Sequence, residues 1–175
     1  MAALSHLDRA DALRTYLEHH QAQMLAVLEA LVRAESPTEV PDAQADVQNA
    51  LTRLLRTLDY TVMHIPGGSE SGGHLYARPQ SRDRSCPVQL LVGHCDTVWP
   101  LGTLDEMPFE VDDNEVRGPG VFDMKAGLVQ MLFAIAALRR CGVELGVTPI
   151  VFINSDEEDG SPTSRRPLKR LARCA

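Results

Sequence analysis

The chain of 175 residues has no excess of basic charge: 17 Lys and Arg stand against 24 Asp and Glu, a net charge of −7. Proteins that gather phosphate backbones do so with clustered cations, so nucleic acid is excluded as an expected partner. The N-terminus, MAALSHLDRADALRTYLEHH, lacks a basic stretch leading into an apolar one, and no apolar run is expected to be long enough to span a bilayer. The expectation is a cytoplasmic protein with no membrane partner. Cysteine is sparse and unpaired. Cys86, Cys95, Cys141 and Cys174 form no CxxC, which removes a zinc ribbon or dithiol motif and leaves free thiols. Internal repeats and low-complexity tracts are missing, as are HExxH, GxSxG and the Walker sequence. GPGVFD has only two of the three glycines of a dinucleotide loop, with Asp123 where the third belongs.

What is there is a hydrophobic fraction of 44%, enough for one globular core. Apolar residues at helical spacing (Leu13, Leu17, Met24, Leu28, Leu31) predict one amphipathic helix from Ala10 to Ala34. The two prolines of SPTEVPD end it, and Val47, Leu51, Leu54, Leu55 and Leu58 mark a second helix. YTVMHI (60–65) and HLYARP (74–79), separated by GGSESGG, predict a strand pair. PVQLLVGH (87–94) and TPIVFIN (148–154) are nearly continuous apolar runs, as in central strands covered on both faces. Between them MKAGLVQMLFAIAALRRCG (124–142) predicts a buried helix closed by Gly142, completing a βαβ unit. In the tail, Leu168 and Leu171 predict one side of a helix, and the Arg/Lys cluster its solvated face.

In open α/β sheets functional groups collect beyond the carboxyl ends of the strands. The first central strand runs into His94, Cys95 and Asp96, the second into Asp156, Glu157, Glu158 and Asp159. Strand alternation sets His94 and Asp96 on one side, suiting a metal-ligating imidazole with a carboxylate beside it to orient the ring. Cys95 faces away as a small buried filler and not as a nucleophile. Four adjacent carboxylates repel one another unless they are solvated or neutralised by a cation. Asp123, just before the buried helix, reads equally as an N-cap or as a ligand. One imidazole and several carboxylates at neighbouring loop ends suit zinc or a similar divalent ion. An EF-hand register from Ser155 fails because Arg166 stands where the closing Glu is needed. Asp156 and Asp159 are expected to be solvated or bonded to nearby backbone. His6, His19, His20, His64 and His74 are expected to be non-functional and far from the motifs.

In order and approximate spacing, GHCDTVWPLGTL, GPGVFDMKAG and NSDEEDGSPTSR resemble the motifs of the M20 family of dinuclear zinc amidohydrolases. That group includes glutamate carboxypeptidase, acetylornithine deacetylase and succinyl-diaminopimelate desuccinylase. The resemblance runs over nearly the whole chain. It implies two divalent ions, Zn2+ with Co2+ as the substitute. His94 would ligate one and Glu158 the other, with Asp123 bridging both. The catalytic residues would be Glu157, as general base, and Asp96, which orients His94. The first two motifs are closest to the glutamate-carboxypeptidase-like branch, which implies a small-molecule substrate, an N-acyl amino acid or short peptide, cleaved at an amide next to a free carboxylate.

The implied fold class is α/β, a partial three-layer catalytic domain with a central, mostly parallel or mixed sheet flanked by helices. Residues 1–175 would form the N-terminal part of that domain, truncated at its C-terminus. Two further family ligands and the lid that carries dimerisation fall outside the sequence, which leaves the oligomeric state open. The chain alone is therefore expected to be inactive; the alternative is a non-catalytic fragment that binds metal weakly at most.

Overall fold

The computed structural model describes residues 6–175, with side chains from Leu7 onward, so the reading of the first five residues and of the His6 side chain lies outside the described residues. The single opening helix is in fact two, α1 (His6–His19) and α2 (Gln21–Arg33). His20, at φ −104° and ψ 7°, leaves helical geometry between them. Its ring stacks on Tyr16 at 4.0 Å and its Nδ1 lies 2.7 Å from the Tyr16 carbonyl, while His19 Nδ1 approaches the Thr15 carbonyl at the same distance. Two imidazoles thus engage carbonyls of the preceding turn, a local competition that apolar periodicity does not register.

A short 3-10 turn (Pro41–Gln44) leads into α3 (Ala45–Thr57), whose Val47, Leu51 and Leu55 are fully buried. The strands β1 (Tyr60–Ile65) and β2 (His74–Pro79) form an antiparallel pair from Tyr60↔Pro79 to Ile65↔His74. After β3 (Val88–His94) come a one-turn helix α4 (Thr103–Glu106) and a small hairpin of β4 (Glu110–Val111) and β5 (Val116–Arg117). The chain then kinks through Val121–Lys125 into α5 (Ala126–Arg140), and β6 (Thr148–Asn154) and α6 (Arg165–Leu171) complete it. Gly142 closes α5 with φ +63°, the left-handed geometry expected of a terminating glycine.

The four long strands form one mixed sheet in the order β1-β2-β6-β3. β3 and β6 run parallel from Val88↔Thr148 to His94↔Asn154, so their carboxyl ends lie side by side, and β2 runs antiparallel to β6. The α/β class, the mixed sheet and the βαβ unit agree with the sequence. The position of β3 does not. It is an edge of the sheet among the described residues, with Val92 49% exposed, whereas β6 is an interior strand, as is β2. An apolar run reports how faces are covered; it carries no information on how many neighbours a strand pairs with.

Leu128, Val129, Leu132, Phe133 and Ile135 of α5 join Leu31 and Val32 of α2, Leu51 and Leu55 of α3 and Val151 and Ile153 of β6 in one core. Burying each such side chain contributes about 1.5–3 kcal/mol. Val121–Arg140, with a mean hydropathy of 1.6, is long and apolar enough to cross a membrane, contrary to the sequence expectation for every segment. Its apolar character is accounted for by the core it lines, since a helix central to a globular core passes the same test.

Candidate metal centre

The parallel register of β3 with β6 delivers the first and third motifs to one edge of the sheet, and the kink before α5 delivers the second. Gly93 eases the approach: a Cβ there would come within 2.7 Å of Leu128 Cδ2, so the Leu128 side chain would have to shift. Gly120, at φ +69°, starts the kink and would otherwise collide with Thr97 Cγ2 at 2.5 Å.

His94 closes β3 and is 4% exposed. Its Nδ1 lies 3.1 Å from the Asp96 carbonyl and 3.4 Å from Asp96 Oδ1, and its Nε2 lies 2.9 Å from Asp123 Oδ1. Asp96, 1% exposed, holds two segments at once. Besides facing the ring, its Oδ2 accepts the Thr38 hydroxyl at 2.9 Å and the backbone N–H of Glu158 at 3.1 Å. Burial alone would depress the His94 pKa, but the hydrogen bonds to Asp96 and Asp123 outweigh it and raise it to about 9. Burial likewise works against the Asp96 carboxylate, yet its bonds to His94, Glu158 and Thr38 hold it below the usual carboxylate range.

Asp123 does not cap α5. Lys125 occupies the N-cap position, no side chain caps the helix, and Asp123 has extended backbone (φ −125°, ψ 104°) that turns its carboxylate to His94. Glu158 completes the group: one ligand atom each of His94, Asp123 and Glu158 lie within 4.8 Å of one another. Burial raises the Glu158 pKa, His94 works against that rise, and the carboxylates of Asp123, Asp96 and Glu157 add to it. Glu157, beside it, is exposed.

This donor set fits a divalent cation. One nitrogen and two carboxylates are suitable zinc ligands, and three protein ligands with an open position is the usual arrangement of a catalytic site. The carboxylates that hold a proton on His94 supply the same negative field that would hold a metal there. Among the described residues this is the group of His, Cys, Asp and Glu that converges in this way.

Two neighbours, Lys125 and His74, escape the sequence reading. Lys125 is buried, donating from Nζ to the Leu31 and Ala34 carbonyls at 2.9 and 3.0 Å, so that a cation sits at the C-terminal end of α2. Burial lowers its pKa to about 8. Asp156 is bonded to nearby backbone as expected, but it is buried, whereas Asp159 is exposed. His74, expected far from the motifs, is buried and bonded to Thr163 of the third one. A polar residue buried by distant partners has no local signature. Cys95 is buried and burial pushes its thiol up to about 12, in keeping with an inert filler.

The chain is similar to known proteins over most of its length. The sequence profile of Peptidase family M20/M25/M40 matches residues 90–172, the stretch that holds all three motifs. Carboxypeptidase G2 of Pseudomonas sp. (strain RS-16) is 32% identical over 156 residues, covering 89% of this chain and 37% of its own length. A succinyl-diaminopimelate desuccinylase of Methylobacterium nodulans is 34% identical over 157 residues, covering 85% and 37%. In fold, human carnosine dipeptidase 1 superposes with a TM-score of 0.78 at 20% identity, covering 91% of this chain and 37% of that one. The di-peptidase Dug1p of Saccharomyces cerevisiae gives 0.77 at 16% identity, covering 93% and 38%. The chain thus spans a little over a third of the relatives it matches. Profile and relatives agree: over residues 90–172 the chain matches peptidase family M20/M25/M40.

Proposed function

We propose that the chain carries part of the metal-dependent hydrolase centre of its family, which, once completed to the length of the relatives, acts on an amide next to a free carboxylate in an N-acyl amino acid or short peptide. The observation that carries this is the convergence of His94, Asp123 and Glu158 beside the exposed Glu157. The substrate class is supported by the relatives' names, a carboxypeptidase and a desuccinylase. The net charge of −7 supports a small-molecule partner over nucleic acid. In this reading residues 1–175 form the N-terminal part of the catalytic domain.

His94, Asp123 and Glu158 would hold the metal. When bound, the divalent ions, zinc or cobalt, supply Lewis-acid chemistry that acidifies water and polarises a carbonyl. Glu157 accepts the proton of the attacking water and passes it to the leaving nitrogen. Asp96 keeps the His94 ring oriented and fixes the Glu158 backbone through the same carboxylate.

A second reading, metal binding without turnover, is favoured by the donor count: three ligands converge among the described residues, enough for one ion and few for two. Hydrolysis of N-acyl amino acids in the presence of zinc, by the chain completed to the length of its relatives, separates the two. Turnover above zinc alone, removed by Glu157→Gln with bound metal retained and accompanied by metal loss in Glu158→Gln, supports the hydrolase. Zinc uptake with no turnover supports the second reading, and exchanged phenotypes for the two glutamates would reverse their roles.

A further inference from the structure

Asp156 opens the acidic run, yet its side chain turns away from the metal-ligand group. It is 1% exposed. Its Oδ2 accepts the Thr163 backbone N–H at 2.7 Å, the Thr163 hydroxyl at 2.7 Å and the Ser164 backbone N–H at 2.9 Å. Oδ1 accepts from the Asn154 amide at 3.3 Å, and the Ser161 N–H closes on the Asp156 carbonyl at 2.7 Å. Residues 156–164 are thereby folded into a loop whose two ends are fastened through one carboxylate. Glu157 and Glu158 lie between the fastened ends. From the other side, Asp96 Oδ2 takes the Glu158 N–H.

The Thr163 hydroxyl is the junction. Its one proton goes to Asp156, so toward its other partners it can only accept. Those partners are Ser71 Oγ at 2.9 Å and His74 Nε2 at 3.0 Å. Ser71 therefore donates, and His74 carries its proton on Nε2. Burial, which lowers the His74 pKa, keeps that ring neutral. Beyond them the glycine-rich β1–β2 connection is itself anchored. Gly72 N–H donates to Gln44 Oε1 at 2.8 Å, and the Gly73 carbonyl accepts from Gln48 Nε2 at 2.9 Å and from the Ser155 hydroxyl at 2.6 Å.

We propose that Thr163 is a positioning residue for the metal centre: its hydroxyl, braced by Ser71 and His74, holds Asp156 and so sets where Glu158 presents its carboxylate to His94 and Asp123. This rests on the metal-centre reading and assigns a task to residues outside the ligand set. The glycine-rich connection is then coupled to the acidic loop through hydrogen bonds and not through chain proximity, since Ser71 and Thr163 are 92 positions apart.

The test compares zinc affinity in the wild-type chain, Thr163→Val and Thr163→Ser. Valine keeps the shape and removes the hydroxyl, whereas serine keeps the hydroxyl. Thr163→Val should weaken zinc binding about tenfold or more, the scale on which residues supporting metal ligands act, and Thr163→Ser should restore affinity to within about twofold of wild type. A folded Thr163→Val chain with a lower melting temperature and unmoved affinity would mean a merely structural hydroxyl and overturns the proposal. Should Thr163→Val fail to fold, ring 15N NMR of the wild-type chain decides: a His74 proton on Nε2 is required, and a proton on Nδ1 overturns the junction. A wild-type chain that takes up no zinc overturns the metal-centre reading and this inference with it, whereas normal wild-type uptake with an unmoved Thr163→Val overturns the inference alone.

Discussion

Zinc binding near pH 7 should expel about one proton from His94, and the apparent affinity should climb about tenfold per pH unit until about pH 9. The cause is competition for one lone pair. His94 Nε2 lies 2.9 Å from Asp123 Oδ1, and with its pKa raised to about 9 the ring is almost wholly imidazolium at neutral pH. Coordination needs the neutral ring. A gap of about two pH units makes zinc binding about a hundredfold weaker at pH 7 than above pH 9, or about 2.7 kcal/mol. Titration calorimetry in two buffers of different ionisation enthalpy counts the protons, and chelator competition across the same pH range gives the slope. Proton release near zero at neutral pH, together with a flat affinity, would refute the reasoning. The same shift fixes the sign for the metal-free chain. A raised imidazole pKa stabilises the fold fully below its unfolded value of about 6.5, and that contribution, about 3 kcal/mol at most, is lost as pH rises through about 9.

Lys125→Met should destabilise the chain by about 1–3 kcal/mol in urea melts, because the Leu31 and Ala34 carbonyls lose their buried donor; an unchanged midpoint contradicts that assignment. Its lowered pKa predicts in addition that the wild type gains stability between about pH 8 and pH 10.5 relative to Lys125→Met, since the unfolded state binds more protons there. Asp96→Asn removes the anion beside the ring, so NMR titration should find the His94 pKa below about 9, and zinc affinity should fall about 10- to 100-fold. An unmoved His94 titration would show that Asp96 does not set the charge of the ring.

The sequence made most of the fold legible wherever local periodicity decides it. The βαβ unit, the strand pair and the bounds of β6 follow from apolar runs and from the turn residues Gly142 and GGSESGG. It misled where pairing partners decide: β3 reads as central because it is apolar, but its second edge is unpaired among the described residues. The break at His20 was hidden because no proline or glycine marks it. At the site, strand ends and adjacent charge mark His94, Asp96 and the acidic run 156–159, whereas the ligand roles of Asp123 and of Glu158 within that run follow from the resemblance to the M20 family. Thr163, His74 and Lys125 could not be named, because their partners lie 7, 89 and more than 90 positions away and their residue types are ordinary in loops and helices.

The central claim is that His94, Asp123 and Glu158 form one metal centre. Zinc titration of the metal-free chain beside Asp123→Ala tests it most directly, because Asp123 is exposed and its removal disturbs the ligand set more than the core. A tight binding phase is expected in the wild type and its loss in the variant, while both remain folded. Equal zinc binding by the two chains would contradict it.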